Sequence, residues 1–228
     1  MANDGTKVWE VKIEEVKLET ELLESDLDPH AGADLPSETR RVLPVERPVS
    51  WLALAGFMGT GKSRIGWELS RRLSLTFIDT DKVIERVSCM RISDIFEYYG
   101  EATLRDYETE VVRRTLRLDE VVVSTGGGTV MRQQNRDMLK SRGPVIVLWA
   151  SPETIYLRTR RSQRPLLQVA NPVEKIHELL EARKEAYKDV AAFHISTDNR
   201  HSSDVVEEIV DKLWEWNEQQ LQPEIIQP

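Results

Sequence analysis

Gly56-Phe57-Met58-Gly59-Thr60-Gly61-Lys62-Ser63 satisfies the pattern G-x-x-x-x-G-K-[ST] at every fixed position, and the chemistry of that pattern is the holding of a nucleoside triphosphate. Glycines let successive backbone N–H groups curl round an anion, Lys62 reaches the β- and γ-phosphates, and the Ser63 hydroxyl suits Mg²⁺. Asp79-Thr80-Asp81 sets two carboxylates two residues apart. On an extended backbone they share a side, one for the metal and one for a substrate hydroxyl; the alternative is that Asp81 caps a helix. Gly126-Gly127-Gly128 admits a ligand close to the backbone. Arg105 and Glu108 lie three apart, where on a helix the carboxylate steadies the guanidinium. The stretch from Arg158 to Arg164 is basic and lacks apolar periodicity, as expected of a lid over phosphates, and Arg200 offers a plane for a purine.

Chemistry of this kind needs elements that bring distant residues to one edge. The apolar run Trp51 to Ala55 precedes the glycine-rich loop, and Ile65, Leu69 and Leu73 follow it at four-residue spacing, so the loop joins a strand to a helix N-terminus. Short apolar runs at Thr76–Ile78, Val121–Val123, Val145–Trp149 and Phe193–Ser196 predict further strands. Between them, Ile92 to Tyr99, Glu101 to Leu118, Pro152 to about Thr159, Val173 to Lys188 and Ser203 to Trp216 read as helices, with Gly100 as a break. This alternation predicts an α/β fold with a parallel sheet covered on both faces, and such sheets bind ligands where their strands end.

The chain has 228 residues and a net charge of −8, unevenly placed. Residues 1–47 hold 12 acidic and 6 basic side chains. The last 12 residues add Glu218 and Glu224, so the segment between is balanced and presents no large nucleic-acid-binding surface. Cys89 is alone, which excludes an internal disulfide and fits a reducing compartment. No apolar run reaches the length of a membrane span, and the acidic N-terminus does not resemble a targeting segment. Residues 1–47 are expected to be an acidic extension and linker, in part helical through the stripe Trp9, Ile13, Val16, Leu23 and Leu27, although an edge strand through Trp9 to Ile13 is the alternative. Residues 48–216 make one domain, and 217–228 form a polar tail.

From about Trp51 to Trp216 the chain resembles the shikimate kinases, in the nucleoside-monophosphate-kinase branch of phosphate-loop folds. The motifs are GFMGTGKS, FIDTDKVIE at Phe77 to Glu85, ISDIFEYYGEATLRDYE at Ile92 to Glu108, STGGG at Ser124 to Gly128, RPLL at Arg164 to Leu167 and EARKEAY at Glu181 to Tyr187. The resemblance implies a three-layer α/β/α fold with a five-stranded parallel sheet, a substrate-binding insertion at about 80–110 and a lid at about 159–172. It implies that ATP is held by Gly59, Thr60, Gly61, Lys62, Ser63, Arg64, Arg158, Arg164 and Arg200, with Arg158 and Arg200 flanking adenine. Ser63 and Asp79 then attend Mg²⁺, and Asp81, Arg105, Gly126, Gly127, Gly128 and Arg183 hold shikimate. Lys62, Asp81 and Arg164 become the catalytic set, in a cytoplasmic monomer with no nucleic-acid or membrane partner. Leu104 stands where phenylalanine is usual, Arg64 where threonine is commoner, and the acidic extension has no counterpart. A kinase for another acceptor, such as gluconate, has no reason to require Arg105, Gly127 and Arg183 together. A binding protein that had lost catalysis has no reason to retain Lys62, Asp79, Asp81 and Arg164.

Overall fold

The computed structural model describes residues 46–160, 167 and 169–221. The expected N-terminal helix, half of the lid including Arg164, and the end of the C-terminal tail lie outside the described residues. Five strands form one parallel sheet: β1 (Trp51–Gly56), β2 (Thr76–Asp79), β3 (Val121–Ser124), β4 (Val145–Trp149) and β5 (Phe193–Ser196), in the order β2-β3-β1-β4-β5. The helices are α1 (Lys62–Leu73), α2 (Thr80–Ser88), α3 (Ile92–Thr115), α4 (Gln133–Arg142), α5 (Pro152–Thr159), α6 (Pro172–Val190) and α7 (Ser202–Leu221).

Strand alternation divides the core. Leu52 and Leu54 of β1, with Val122, Ile146, Leu148 and Ile195, pack against Ile65 and Leu69 of α1 and Val206, Ile209 and Leu213 of α7. Trp51, Ala53 and Ala55 face the other way, with Val123 and Val147, against Val112 of α3, Leu139 of α4 and Tyr187 and Val190 of α6. Both faces of every central strand are therefore apolar, as a parallel sheet between helix layers requires. Each fully buried Leu, Ile or Val contributes about 1.5–3 kcal/mol.

A smaller cluster of Ile84, Ile95, Leu104 and Val111 binds α2 to α3 beyond the β2 edge. The backbone of α3 leaves helical geometry at Gly100, with φ 82 and ψ 170, which matches the break read there. Leu104 is buried inside this cluster, so it serves the packing of α2 on α3. Two helices were not predicted, α2 and α4. The first cancels the assumption of an extended Asp79-Thr80-Asp81: β2 ends at Asp79, whose carboxylate accepts from the N–H groups of Asp81 and Lys82 and starts α2 at Thr80. The capping residue is thus Asp79 and not Asp81. At the other end of the chain, α7 runs past Trp216 to Leu221.

The strand order fixes where a ligand can enter. β1 and β3 are neighbours, yet β1 leads through α1 toward β2 while β3 leads through α4 toward β4, on the opposite face. Their following loops splay apart, and a crevice opens at the carboxyl ends of the strands.

Candidate active site

The glycine-rich loop leaves β1 at Gly56, whose φ of 140 is open to glycine and whose missing Cβ would lie 2.3 Å from the Leu148 carbonyl oxygen. The loop is closed by Thr60, which donates its hydroxyl to the Phe57 carbonyl at 2.8 Å. Lys62 is buried and turned back over the loop, where its ammonium donates to the same Phe57 oxygen at 2.9 Å. Gly61 stands at the N-cap of α1 with φ 95, and neither a capping side chain nor an acidic residue occupies the first turn. The first N–H groups of α1 are thus left for an anion, with the helix dipole behind them.

Ser63 and Asp79 come from different strand ends and meet here. The Ser63 hydroxyl donates to Asp79 Oδ2 at 2.6 Å, while Oδ1 of the same carboxylate caps α2. A hydroxyl and a carboxylate side by side, next to a phosphate-binding loop, are the hard oxygen donors that Mg²⁺ takes alongside water and phosphate.

The turn after β3 is the hub of the other half. A Cβ on Gly126 would fall 2.5 Å from Asp81 Oδ1 and 2.9 Å from Glu108 Oε1, and one on Gly128 would fall within 2.4 Å of the Arg105 guanidinium. The glycines are required because acidic and basic groups of α2 and α3 press directly on the backbone. Arg105 is held in a fork, one nitrogen on Glu108 Oε2 at 2.6 Å and the other on Glu101 Oε1 at 2.8 Å. Glu108 is only 2% exposed; burial pushes its carboxyl above the ordinary value, and Arg105 works against that rise. From the far side, Arg183 of α6 donates to the Gly127 carbonyl at 3.1 Å and lies 5.0 Å from the ring centroid of Phe57 in the glycine-rich loop.

Three further residues of the expected set are described, Arg158, Arg200 and Arg64. Arg158, near the end of α5, donates to the Gly59 carbonyl at 3.2 Å and to both the hydroxyl and the carbonyl of Thr197, at 2.9 and 2.7 Å. It therefore ties the glycine-rich loop to the segment after β5. Arg200, on that segment, donates to the Ser196 and Asp204 carbonyls at 3.2 and 3.1 Å and pairs with Glu208. Arg64 points away from the loop, to Ser202 at 3.1 Å and Glu68 at 2.9 Å. Its side chain links α1 to α7.

Four positioning residues carry no signal of their role in the sequence. Thr80 accepts the Gly126 N–H at 2.9 Å, and Tyr187 donates to the Gly127 carbonyl at 3.1 Å. Thr197 carries Arg158, and Asp198 accepts the Ser151 N–H at the start of α5, at 2.9 Å. Each pairs with a residue tens of positions away, so no local spacing announces it.

A family model described as shikimate kinase matches residues 58–214. The chain is 53% identical over 176 residues to a shikimate kinase of Deinococcus radiodurans, covering 77% of this chain and 89% of that protein. It is likewise 53% identical over 174 residues to one of Thermus thermophilus, covering 75% and 94%. Among solved structures, a shikimate kinase from Acinetobacter baumannii in complex with shikimate superposes with a TM-score of 0.68 at 34% identity, covering 78% of this chain and 96% of that one. A gluconokinase from Sinorhizobium meliloti, at 16% identity and a TM-score of 0.54, covers 78% of this chain and 99% of its own and shares the fold.

Proposed function

The chain belongs to the shikimate kinase family, and from that premise we propose that it transfers the γ-phosphoryl group of ATP to a hydroxyl of shikimate, giving shikimate 3-phosphate and ADP, a step of chorismate and aromatic amino-acid biosynthesis. One observation carries the reading: the triglycine turn after β3 touches Asp81, Arg105 and Arg183, and its own missing Cβ at Gly127 would sit 3.5 Å from the Met58 nitrogen of the phosphate loop. Acceptor and donor sites thereby share a wall.

The roles follow from charge and position. Phosphoryl transfer asks for alignment and neutralisation more than for covalent help. Lys62 and Arg164 offset charge on the phosphate oxygens, and Arg105 and Arg183 grip a planar carboxylate. Asp81 orients the attacking hydroxyl and takes its proton late. Arg158 and Arg200 flank adenine, while Gly59 to Ser63 line the phosphates; Arg64, turned toward Ser202 and Glu68, takes no part. Ser63 and Asp79 fit Mg²⁺, which when bound neutralises phosphate charge. The insertion at about 80–110 holds the acceptor, and the lid at about 159–172 keeps out the water that would otherwise take the phosphoryl group. We assign the enzyme to the cytoplasm as a monomer; the exposed free thiol of Cys89 suits a reducing compartment.

ADP formation from ATP tests the reading with shikimate and gluconate as rival acceptors. Gluconate also carries a carboxylate and neighbouring hydroxyls, so the comparison turns on the ring acceptor that the family membership implies, and kcat/KM for shikimate should be at least about a hundredfold higher. Equal or faster turnover of gluconate would contradict it.

A further inference from the structure

The triglycine turn is tied down almost atom by atom. Gly126 donates its N–H to Thr80 and accepts at its carbonyl from the Thr129 N–H at 3.1 Å, while the Gly128 carbonyl accepts from the Met131 N–H at 3.0 Å. The Gly127 carbonyl stands apart because it takes two donors, Arg183 Nη1 and the Tyr187 hydroxyl, each at 3.1 Å. Those donors lie one turn apart on α6, which presents both to a single oxygen. A peptide plane is rigid, so fixing the Gly127 oxygen also aims the Gly128 N–H in the opposite direction.

The two donors are not equivalent. Arg183 is assigned above to the substrate carboxylate, and an anion drawing its guanidinium forward loosens its hold on the Gly127 oxygen. Tyr187 has no such second duty: it is 1% exposed, packed beside Val190, Leu139 and Val147 under the sheet. We propose, resting on the assignment of the acceptor site, that Tyr187 is the positioning residue that keeps the Gly127 peptide oriented for shikimate while Arg183 is engaged with the substrate. Burial pushes its phenol up to about 12, so the hydroxyl remains a donor throughout the working pH range.

The variant Tyr187→Phe keeps the ring in its pocket and removes only the donor. Steady-state kinetics should show KM for shikimate raised roughly three- to tenfold, the loss of one neutral hydrogen bond, with kcat and KM for ATP within about twofold of wild type. Trp51→Phe is the control, because it also deletes a buried donor on this face, from Trp51 Nε1 to the Thr115 carbonyl at 3.2 Å, away from the turn. It should lower Tm and leave KM for shikimate alone. An unchanged KM for shikimate in Tyr187→Phe overturns the proposal, as does an equal rise in KM for ATP or the same change in the Trp51 control. Wild-type enzyme run in the same series separates the two levels: absence of shikimate turnover there would refute the assigned reaction, whereas normal wild-type turnover with an indifferent Tyr187→Phe refutes the role of Tyr187 alone.

Discussion

Lys62 and Arg105 bear the strongest consequences at the scale of single residues. The Lys62 ammonium sits inside the loop and donates to the Phe57 carbonyl at 2.9 Å, a bond within the loop itself. Lys62→Ala should therefore leave circular dichroism unchanged and reduce kcat to well under about a tenth, since the charge that meets the transferred phosphoryl group is gone; a variant retaining about a tenth or more would refute the role. Arg105 is a different case, because its use lies in its fork. Its two terminal nitrogens reach Glu108 and Glu101 at 2.6 and 2.8 Å, and a lysine reproduces the charge without the planar geometry. Titration calorimetry on Arg105→Lys should find shikimate binding weaker by about 1–3 kcal/mol and ATP binding unaltered. Unchanged shikimate affinity would remove Arg105 from the acceptor site.

Elements carry these residues, and not all of them were legible in the sequence. The phosphate loop was, because strand, glycines and helix stripe lie in one continuous segment. So was the break at Gly100, where φ is 82. The helix α2 has helical spacing at Val83, Ile84 and Val87, but Asp79-Thr80-Asp81 reads equally as extended or as a cap at Asp81; one Asp79 carboxylate oxygen capping two N–H groups is what turns the chain. α4 was missed for lack of signal, since only Met138 and Leu139 are apolar among its ten residues. Long-range hydroxyls such as Thr80 and Tyr187, bonded 46 and 60 residues away, leave no local trace at all. α4 nevertheless docks firmly on α6, since Asp189 accepts from Arg136 at 2.6 Å and Lys140 at 2.8 Å. Hydrogen bonds from those two donors lower the Asp189 pKa from 3.8 to about 2. A depressed carboxylate stabilises the fold above its unfolded pKa and loses that contribution as pH falls through the folded one. Wild type should thus melt above Asp189→Asn at pH 6, with the gap closing between about pH 4 and 2. A gap that persists at pH 2 would show that the difference does not come from this carboxylate's charge.

The described residues are built on one sheet, with the candidate site at the carboxyl ends of its strands. The described candidate site residues run from Gly59 to Arg200, and the sheet itself begins at Trp51. Arg47 is the first described side chain to hold on to this body, donating to the Ser74 carbonyl at 3.1 Å. A chain beginning at Glu46 should accordingly keep both Tm and kcat/KM close to those of the full-length protein; aggregation or a large fall in Tm would show that residues 1–45 complete the core or an interface. The central claim, that the phosphoryl group goes from ATP to shikimate within a closed crevice, is tested most directly by ³¹P NMR of a mixture of enzyme, Mg²⁺, ATP and shikimate. One new phosphate monoester should appear for each ADP, with its carbon partner assigned to a shikimate hydroxyl and little inorganic phosphate formed. ADP accompanied by inorganic phosphate, or no ADP beyond the rate without shikimate, would contradict it.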